Sequence, residues 1–340
     1  MRIVSLVPEG IVNAIYRSVI PLQALAHRGH AVHIEERNEP RNAEAYRAFD
    51  VVHFVRFCHP SMERLARALH DAHVPIVWDN DDDLLTPTKG NPNFKQRQGL
   101  QGRDIARAMT SMMTLANAVT TPSALLAQRY REVSGCDARV LENYLPPMFS
   151  ALQQGGAAGT VRVGWIAGGE HQRDVDQLHL RERFEALLER HENLFFASVG
   201  VNLGLRRDRY EHTPIVAYGD LPQAIATFDV AIAPLGDTPF NRARSNIKLK
   251  EYAAAGVPWL ASPIGPYGGL GEQQGGRLVA DEEWEAALEA LVVDRGQRVG
   301  LGRQGLRWAR EHTIEQHAHR WEQTFEDAIA HARETVGRAG

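Results

Sequence analysis

The chain has 340 residues, of which 44% are hydrophobic and 24% charged, with a formal charge of −4; that is too long for one ordinary core and balanced like a water-soluble globular protein. The acidic balance argues against a dedicated nucleic-acid binder, and two cysteines, Cys58 and Cys136, fit neither a disulfide framework nor a structural zinc site. No apolar run approaches the length of a membrane span, and the opening Met1-Arg2-Ile3-Val4 reads as a strand too short for a signal peptide. The expectation is therefore a cytoplasmic protein, with peripheral contact at the inner face of a membrane left open.

Short apolar runs alternate with amphipathic segments, the pattern of a parallel sheet with helices on both faces. The first half predicts strands at 3–7, 31–35, 51–55, 76–79, 118–121 and 139–142, and helices at 11–28, 60–73, 102–117 and 123–134. A small, flexible run at 153–160 reads as a linker. The second half predicts strands at 162–166, 194–199, 215–217, 230–233, 259–261 and 277–279, and helices at 181–191, 221–228, 246–255 and 281–292. The fold class expected is thus α/β, two doubly wound units (1–152 and 161–312) facing across a cleft. A final helix in 313–340 carries Trp321, Phe325 and Ile329 at a spacing of four; it either crosses back onto the first unit or ends the second. Ligands in such sheets bind at the carboxyl ends of the strands. The loops after Val7, Val55, Ile166, Val199 and Ala233 are therefore the places to look.

The richest stretch is Ser245-Asn246-Ile247-Lys248-Leu249-Lys250-Glu251-Tyr252, followed by Gly256-Val257-Pro258. Ser245 reads as the N-cap of a short helix, Gly256 as its left-handed stop and Pro258 as a bar to continuation. Lys248 then falls in the first turn, where the helix dipole disfavours a cation and favours an anion. A phosphate held by the helix N-terminus and Lys248 resolves that conflict. Glu251, one turn on, can accept hydrogen bonds from sugar hydroxyls. The plainer alternative is a surface Lys–Glu pair.

Other candidates follow strand ends. Gly168-Gly169-Glu170-His171 leads to Arg173 and Asp174; the glycines allow close backbone approach to a diphosphate, and Arg173 offers a fork of donors. In the first unit, Arg56 and His59 follow one strand, and Asp79, Asp81, Asp82 and Asp83 follow the next. These carboxylates bind acceptor hydroxyls, orient Arg56 or, as a lesser alternative, hold a divalent cation, although their spacing matches no calcium loop. Crowded like charges raise one pKa, which opens an acid–base role for Asp81. Glu9-Gly10 follows the first strand without the glycines of a dinucleotide fingerprint, and is either a plain turn or an acceptor contact. The basic cluster 205–209 reads as solvated surface. No nucleophile elbow, activated cysteine or His/Cys metal spacing is present.

Ala233-Pro234-Leu235, Phe240-Asn241, Ser245 to Lys248, Glu251-Tyr252 and Gly256-Val257-Pro258 together resemble the donor-site region of group 1, family 4-like glycosyltransferases. Those are retaining enzymes of the GT-B fold that use nucleotide-diphosphate sugars. Gly164-Trp165, Gly168-Gly169, His171 and Asp174 are similar to the opening of their second domain. Trp78 to Leu84 resembles the acidic strand end of a bacterial branch that builds surface polysaccharides and modifies related glycans. The resemblance implies that Glu251 binds the donor ribose, and that Ser245, Lys248 and Arg173 hold the diphosphate. Two departures stand out. The first of the usual pair of glutamates is replaced by Ala243, and the usual His-x-His at a strand end reads His53-Phe54-Val55, with Arg56 next.

The expected activity is transfer of a sugar from a nucleotide-diphosphate donor to a hydroxyl acceptor, with retention and without a metal cofactor. The catalytic residues expected are Lys248, Arg173 and Asp81. Gly168, Gly169, His171, Ser245, Asn246, Lys248 and Glu251 are expected on the donor, and Glu9, Gly10, Arg56, His59 and Asp79 on the acceptor. The alternatives are a non-catalytic nucleotide-sugar-binding subunit and, below it, a metal-dependent phosphohydrolase built on residues 79–83. Donor base, sugar, acceptor and oligomeric state are not written in these residues.

Overall fold

The computed structural model describes residues 1–10, 14–85, 94, 98–149, 159–205 and 208–339. Among these, two six-stranded sheets form, and every pairing in both is parallel. The first contains β1 (Arg2–Val7), β2 (Ala31–Glu36), β3 (Val51–Val55), β4 (Ile76–Asp79), β5 (Ala118–Thr121) and β6 (Ala138–Val140), in the order β2-β1-β3-β4-β5-β6. A π-helical turn, Ile15–Val19, leads into α1 (Ile20–His27), and α2 (Pro60–Asp71), α3 (Gly99–Leu115) and α4 (Ala124–Ser134) complete the unit. β3 and β4 are buried along their whole length, as expected of central strands covered on both faces.

The second sheet contains β7 (Val161–Ala167), β8 (Leu194–Gly200), β9 (Tyr210–Thr213), β10 (Val230–Ala233), β11 (Trp259–Ala261) and β12 (Gly276–Leu278), in the order β12-β11-β10-β7-β8-β9. Its helices are α5 (Gln172–Gln177), α6 (Leu180–Arg190), α7 (Leu221–Ala226), α8 (Pro239–Arg242), α9 (Ile247–Ala254), α10 (Trp284–Val293) and α11 (Arg295–Arg310). Two expectations fail here for physical reasons. The strand expected at 215–217 is instead β9, an edge strand that pairs only with β8 and so needs no apolar run; Pro214 cannot donate to a ladder, and Ile215 is 79% exposed. No helix is expected from the sequence at 295–310 either, where four glycines lower the intrinsic helix propensity. There Gly305 is an asset: a Cβ on it would stand 3.2 Å from Ala253, so its absence lets α11 cross α9 closely.

The last helix, α12 (Ile314–Ala339), packs on the first sheet. Trp321 and Phe325 are buried with Ile3, Val51, Val77 and Ala118, and with Leu22 and Leu25 of α1. The chain therefore passes twice between the two halves. The two passages lie side by side: Leu145 N–H donates to His312 O at 2.9 Å and Ile314 N–H to Leu145 O at 2.9 Å. The run 153–160 expected to be a linker lies, but for its last two residues, outside the described residues, as do Arg206 and Arg207. No disulfide joins Cys58 and Cys136. Among the described residues no helix is long and apolar enough to cross a membrane.

Candidate active site

The carboxyl ends of the two sheets face one another across a cavity of about 510 Å³. Its second-domain wall is built by the end of β7 and the start of α9; its first-domain wall comes from Tyr16 in the π-helical turn and from Asp81 and Asp82 after β4.

α9 begins one residue later than the sequence suggests. Asn246 is its N-cap, and no side chain caps it, so the Ser245 hydroxyl is released for another contact: it accepts from Asn143 Nδ2 at 3.1 Å. The C-terminus closes as expected. Gly256 takes φ +69°, and Val257 N–H donates to Tyr252 O at 3.0 Å. Within the helix, Lys248 Nζ donates to the carbonyl of Ile166 at the end of β7. Glu251 is 7% exposed and accepts from the Tyr16 hydroxyl. Burial pushes the Lys248 pKa down and the Glu251 pKa up, each partly restored by the other's charge. The pair is therefore not a solvated surface bridge.

The loop after β7 carries a second charged group. Arg244 donates to Glu170 Oε1 at 3.0 Å and to His171 Nε2 at 2.7 Å. His171 Nδ1 lies 2.7 Å from Asp174 Oδ2, while Asp174 Oδ1 accepts from Gly236 N–H at 2.9 Å and from Asn241 Nδ2 at 3.0 Å. Burial works against the Glu170 charge, but the Arg244 guanidinium above all holds its carboxyl well below the usual carboxylate range. Burial likewise works against the Arg244 charge, and Asp82 of the first domain with Glu170 raises its pKa above the ordinary value. The glycine beside them serves this ion pair. A Cβ on Gly168 would stand 2.1 Å from Glu170 Oε2, so Gly168 makes room for that carboxylate to fold back toward Arg244.

On the first-domain wall, Arg56 NH1 donates to Asp81 Oδ1 at 2.5 Å and to Asp82 Oδ2 at 2.9 Å. Arg56 holds φ +59°, a costly conformation for a residue with a side chain. Burial and the neighbouring Asp82 raise Asp81 to about 6 against the pull of Arg56.

Lys248, Glu251, Ser245, Gly168, His171 and Asp81 thus line one cavity. The other expected positions are elsewhere. Arg173 is exposed on α5 and does not line the cavity, and Arg244 supplies the guanidinium there instead. Gly169 opens a single helical turn with open space beside it, and Asn246 serves as a cap. Asp79 is wholly buried, gripped by Arg17 Nε at 2.9 Å and NH2 at 2.5 Å, and cannot meet an acceptor. His59 caps α2 by accepting from Ser61 N–H at 3.3 Å. Glu9 exchanges hydrogen bonds with Asn38, and Gly10 takes φ +72° in the turn beside it. Arg56 stands behind Asp81 and Asp82 rather than in the cavity lining. The acidic run is no cation cage either: Asp79 is paired with Arg17, Asp81 and Asp82 with Arg56, and Asp83 with Arg129. Among the described residues no three His, Cys, Asp or Glu side chains converge as metal ligands do. Sequence reasoning missed Tyr16, Glu170, Tyr218 and Arg244. Only Arg244, a cation directly before Ser245, gave a signal that could have been read.

The family model described as glycosyl transferase-like matches residues 176–326. No curated protein matches the chain. Sucrose-phosphate synthase from Thermosynechococcus elongatus superimposes with a TM-score of 0.72 at 14% identity, covering 97% of this chain and 100% of that one. A glycosyltransferase from Rickettsia africae gives 0.71 at 13% identity, over 96% and 98% of the two chains. Anabaena HepE in complex with UDP and glucose gives 0.66 at 14% identity, over 95% and 99%. The architecture that the chain shares with them is the GT-B fold.

Proposed function

We propose that this GT-B glycosyltransferase moves a sugar from a nucleotide-diphosphate donor held on its second domain to a hydroxyl acceptor held against its first. The observation that carries the reading is the convergence of Lys248, Arg244 and Glu251, all from one loop and helix after β10, on a cavity whose far wall bears Asp81 and Asp82. The uncapped N-terminus of α9 adds backbone donors and a favourable dipole for an anion. In this reading Glu251 takes the ribose hydroxyls, and Lys248 and Arg244 hold the diphosphate. That Anabaena HepE is seen with UDP and glucose is in keeping with such a donor.

The bond between the sugar's anomeric carbon and the diphosphate oxygen breaks, and its electron pair stays on the diphosphate. Lys248 and Arg244 neutralise that growing charge, so no metal ion is required. The acceptor oxygen bonds to the anomeric carbon, and its proton passes to Asp81, which is deprotonated at neutral pH and lies near the range suited to a general base. Retention at the anomeric carbon and an acceptor of glycan, lipid-linked or small-molecule type follow from the resemblance noted above. The acceptor unit is 1–152, the donor unit 161–312, and the site of action the cytoplasm or the inner face of its membrane.

The test is a thermal-shift screen of nucleotide diphosphates and nucleotide sugars, with and without EDTA. At saturation a true donor stabilises by about 3–4 kcal/mol. A hit that survives chelation and is lost in Glu251→Ala supports the transferase; no hit, or one that needs added metal, overturns it.

A further inference from the structure

We infer that Tyr16 is an internal competitor for the Glu251 carboxylate, so that a ribose arriving at Glu251 must first dislodge a side chain of the opposite domain. The inference rests on the donor-site reading of Glu251 above and adds a residue that neither the sequence motifs nor the family resemblance point to.

Three observations carry it. The Tyr16 hydroxyl donates to Glu251 Oε1, joining the first turn of the first domain to the donor helix α9 of the second. Burial and the adjoining carboxylate hold the Tyr16 pKa well above the ordinary phenol value, so the hydroxyl keeps the proton it donates. Second, Tyr16 is aimed rather than loosely placed. It sits in a π-helical turn, a form that is rare and concentrated at functional sites. The next residue, Arg17, is fully buried and fixed at 2.9 Å from Asp79 Oδ1 and 2.9 Å from Asn143 Oδ1, with its guanidinium carbon 4.9 Å from the Trp321 ring centre. Asn143 in turn donates to Ser245 at the mouth of α9. Third, the ring of Tyr218 meets Tyr16 edge-on at 5.7 Å, and the Tyr218 hydroxyl lies beside the Tyr16 hydroxyl as well. A displaced Tyr16 hydroxyl therefore has a neighbouring oxygen to turn to.

The consequence is a coupling between donor and fold. Vicinal ribose hydroxyls and the Tyr16 hydroxyl compete for the same carboxylate, and because Arg17 ties Tyr16 to the first domain, occupancy of the ribose site is felt there. Tyr16 is thus a positioning residue that lowers affinity for an empty nucleotide and links donor binding to the domain that carries the acceptor.

Calorimetric titration of UDP and GDP, and of their 2′,3′-dideoxy counterparts, into wild type, Tyr16→Phe and Glu251→Gln tests this. A hydrogen bond to a charged group is worth about a tenfold change or more, so Tyr16→Phe should bind the matching ribonucleotide about tenfold more tightly. The dideoxy compound, which makes no claim on Glu251, should bind wild type and Tyr16→Phe alike. Equal or weaker ribonucleotide binding by Tyr16→Phe overturns the inference, as does an equal gain for the dideoxy compound or a lowered melting temperature with unchanged affinity. Glu251→Gln separates the two levels. If it weakens ribonucleotide binding while Tyr16→Phe changes nothing, only the competition fails. If it leaves binding intact, or no nucleoside diphosphate binds wild type, the donor-site reading fails and takes the competition with it.

Discussion

The guanidinium of Arg244 stands 2.7 Å from Nε2 of His171. A guanidinium can only donate, so that ring nitrogen must accept, and the imidazole proton is left on Nδ1, facing Asp174 at 2.7 Å. His171 is therefore neutral, and its work is to orient Arg244 rather than to touch phosphate with a proton of its own. Burial and the Arg244 charge both push its pKa down.

The imidazole of His171 should accordingly stay neutral, with its proton on Nδ1, as pH falls through 6.5, the ordinary histidine value. Nitrogen-detected NMR of the labelled ring checks this; a ring that titrates at or above that value refutes the assignment. In Arg244→Ala the same ring should titrate at higher pH than in wild type.

Lys248→Ala should lower turnover with a nucleotide sugar by a factor of about ten to a thousand, comparable to removal of one oxyanion donor. Steady-state kinetics over a range of donor concentrations measures it. Unchanged turnover removes Lys248 from leaving-group stabilisation.

Asp79 belongs to the fold. Its carboxylate and the Arg17 guanidinium are both fully buried, and removing one partner of such a pair costs about 3–5 kcal/mol. Asp79→Ala should therefore lower the urea midpoint sharply while leaving the acceptor KM of the folded fraction unchanged. The reverse pattern would restore Asp79 to the acceptor site.

His53 makes stability depend on pH. Burial lowers its pKa from 6.5 to about 4, with Asp79 opposing and Arg17 assisting. Between those two values the unfolded chain binds more protons than the folded one, so stability rises with pH across that window and is lost as pH falls through it. The effect is at most on the order of 3 kcal/mol. Asp81, raised to about 6, contributes with the opposite sign over part of the same range. Subtracting the urea profile of His53→Gln from that of wild type isolates the histidine, and the difference should grow between pH 4 and 6.5 and be flat above.

Much of the architecture was legible because central parallel strands announce themselves. β3, β4, β5, β10 and β11 span the residues that the sequence pattern predicts for them. β9 and α11 were not legible, since an edge strand and a glycine-bearing helix get their stability from neighbours rather than from their own composition. The site divided along the same line. Lys248 and Glu251 share one helix turn, and their spacing alone placed them together. Tyr16 meets Glu251 across 235 residues of sequence, and no local pattern marks such a contact. Asp79 and Arg173 misled because a carboxylate and a guanidinium beside a strand end look alike whether they face a cavity, an ion pair or solvent.

The seat of Trp321 and Phe325 on the first sheet also sets an order of assembly. The surface of β1, β3, β4 and β5 that they cover is finished only when the far end of the chain has been made. At about 5–20 residues per second, roughly ten to forty seconds separate the emergence of β6 from that of α12 on the ribosome. Through that interval the first domain stands with an apolar face uncovered, while the second, whose core draws on residues 161–301, is already able to close. The half synthesised first is thus the half completed last, and a chain interrupted before α12 leaves its amino-terminal domain, not its carboxyl-terminal one, exposed to aggregation and proteolysis.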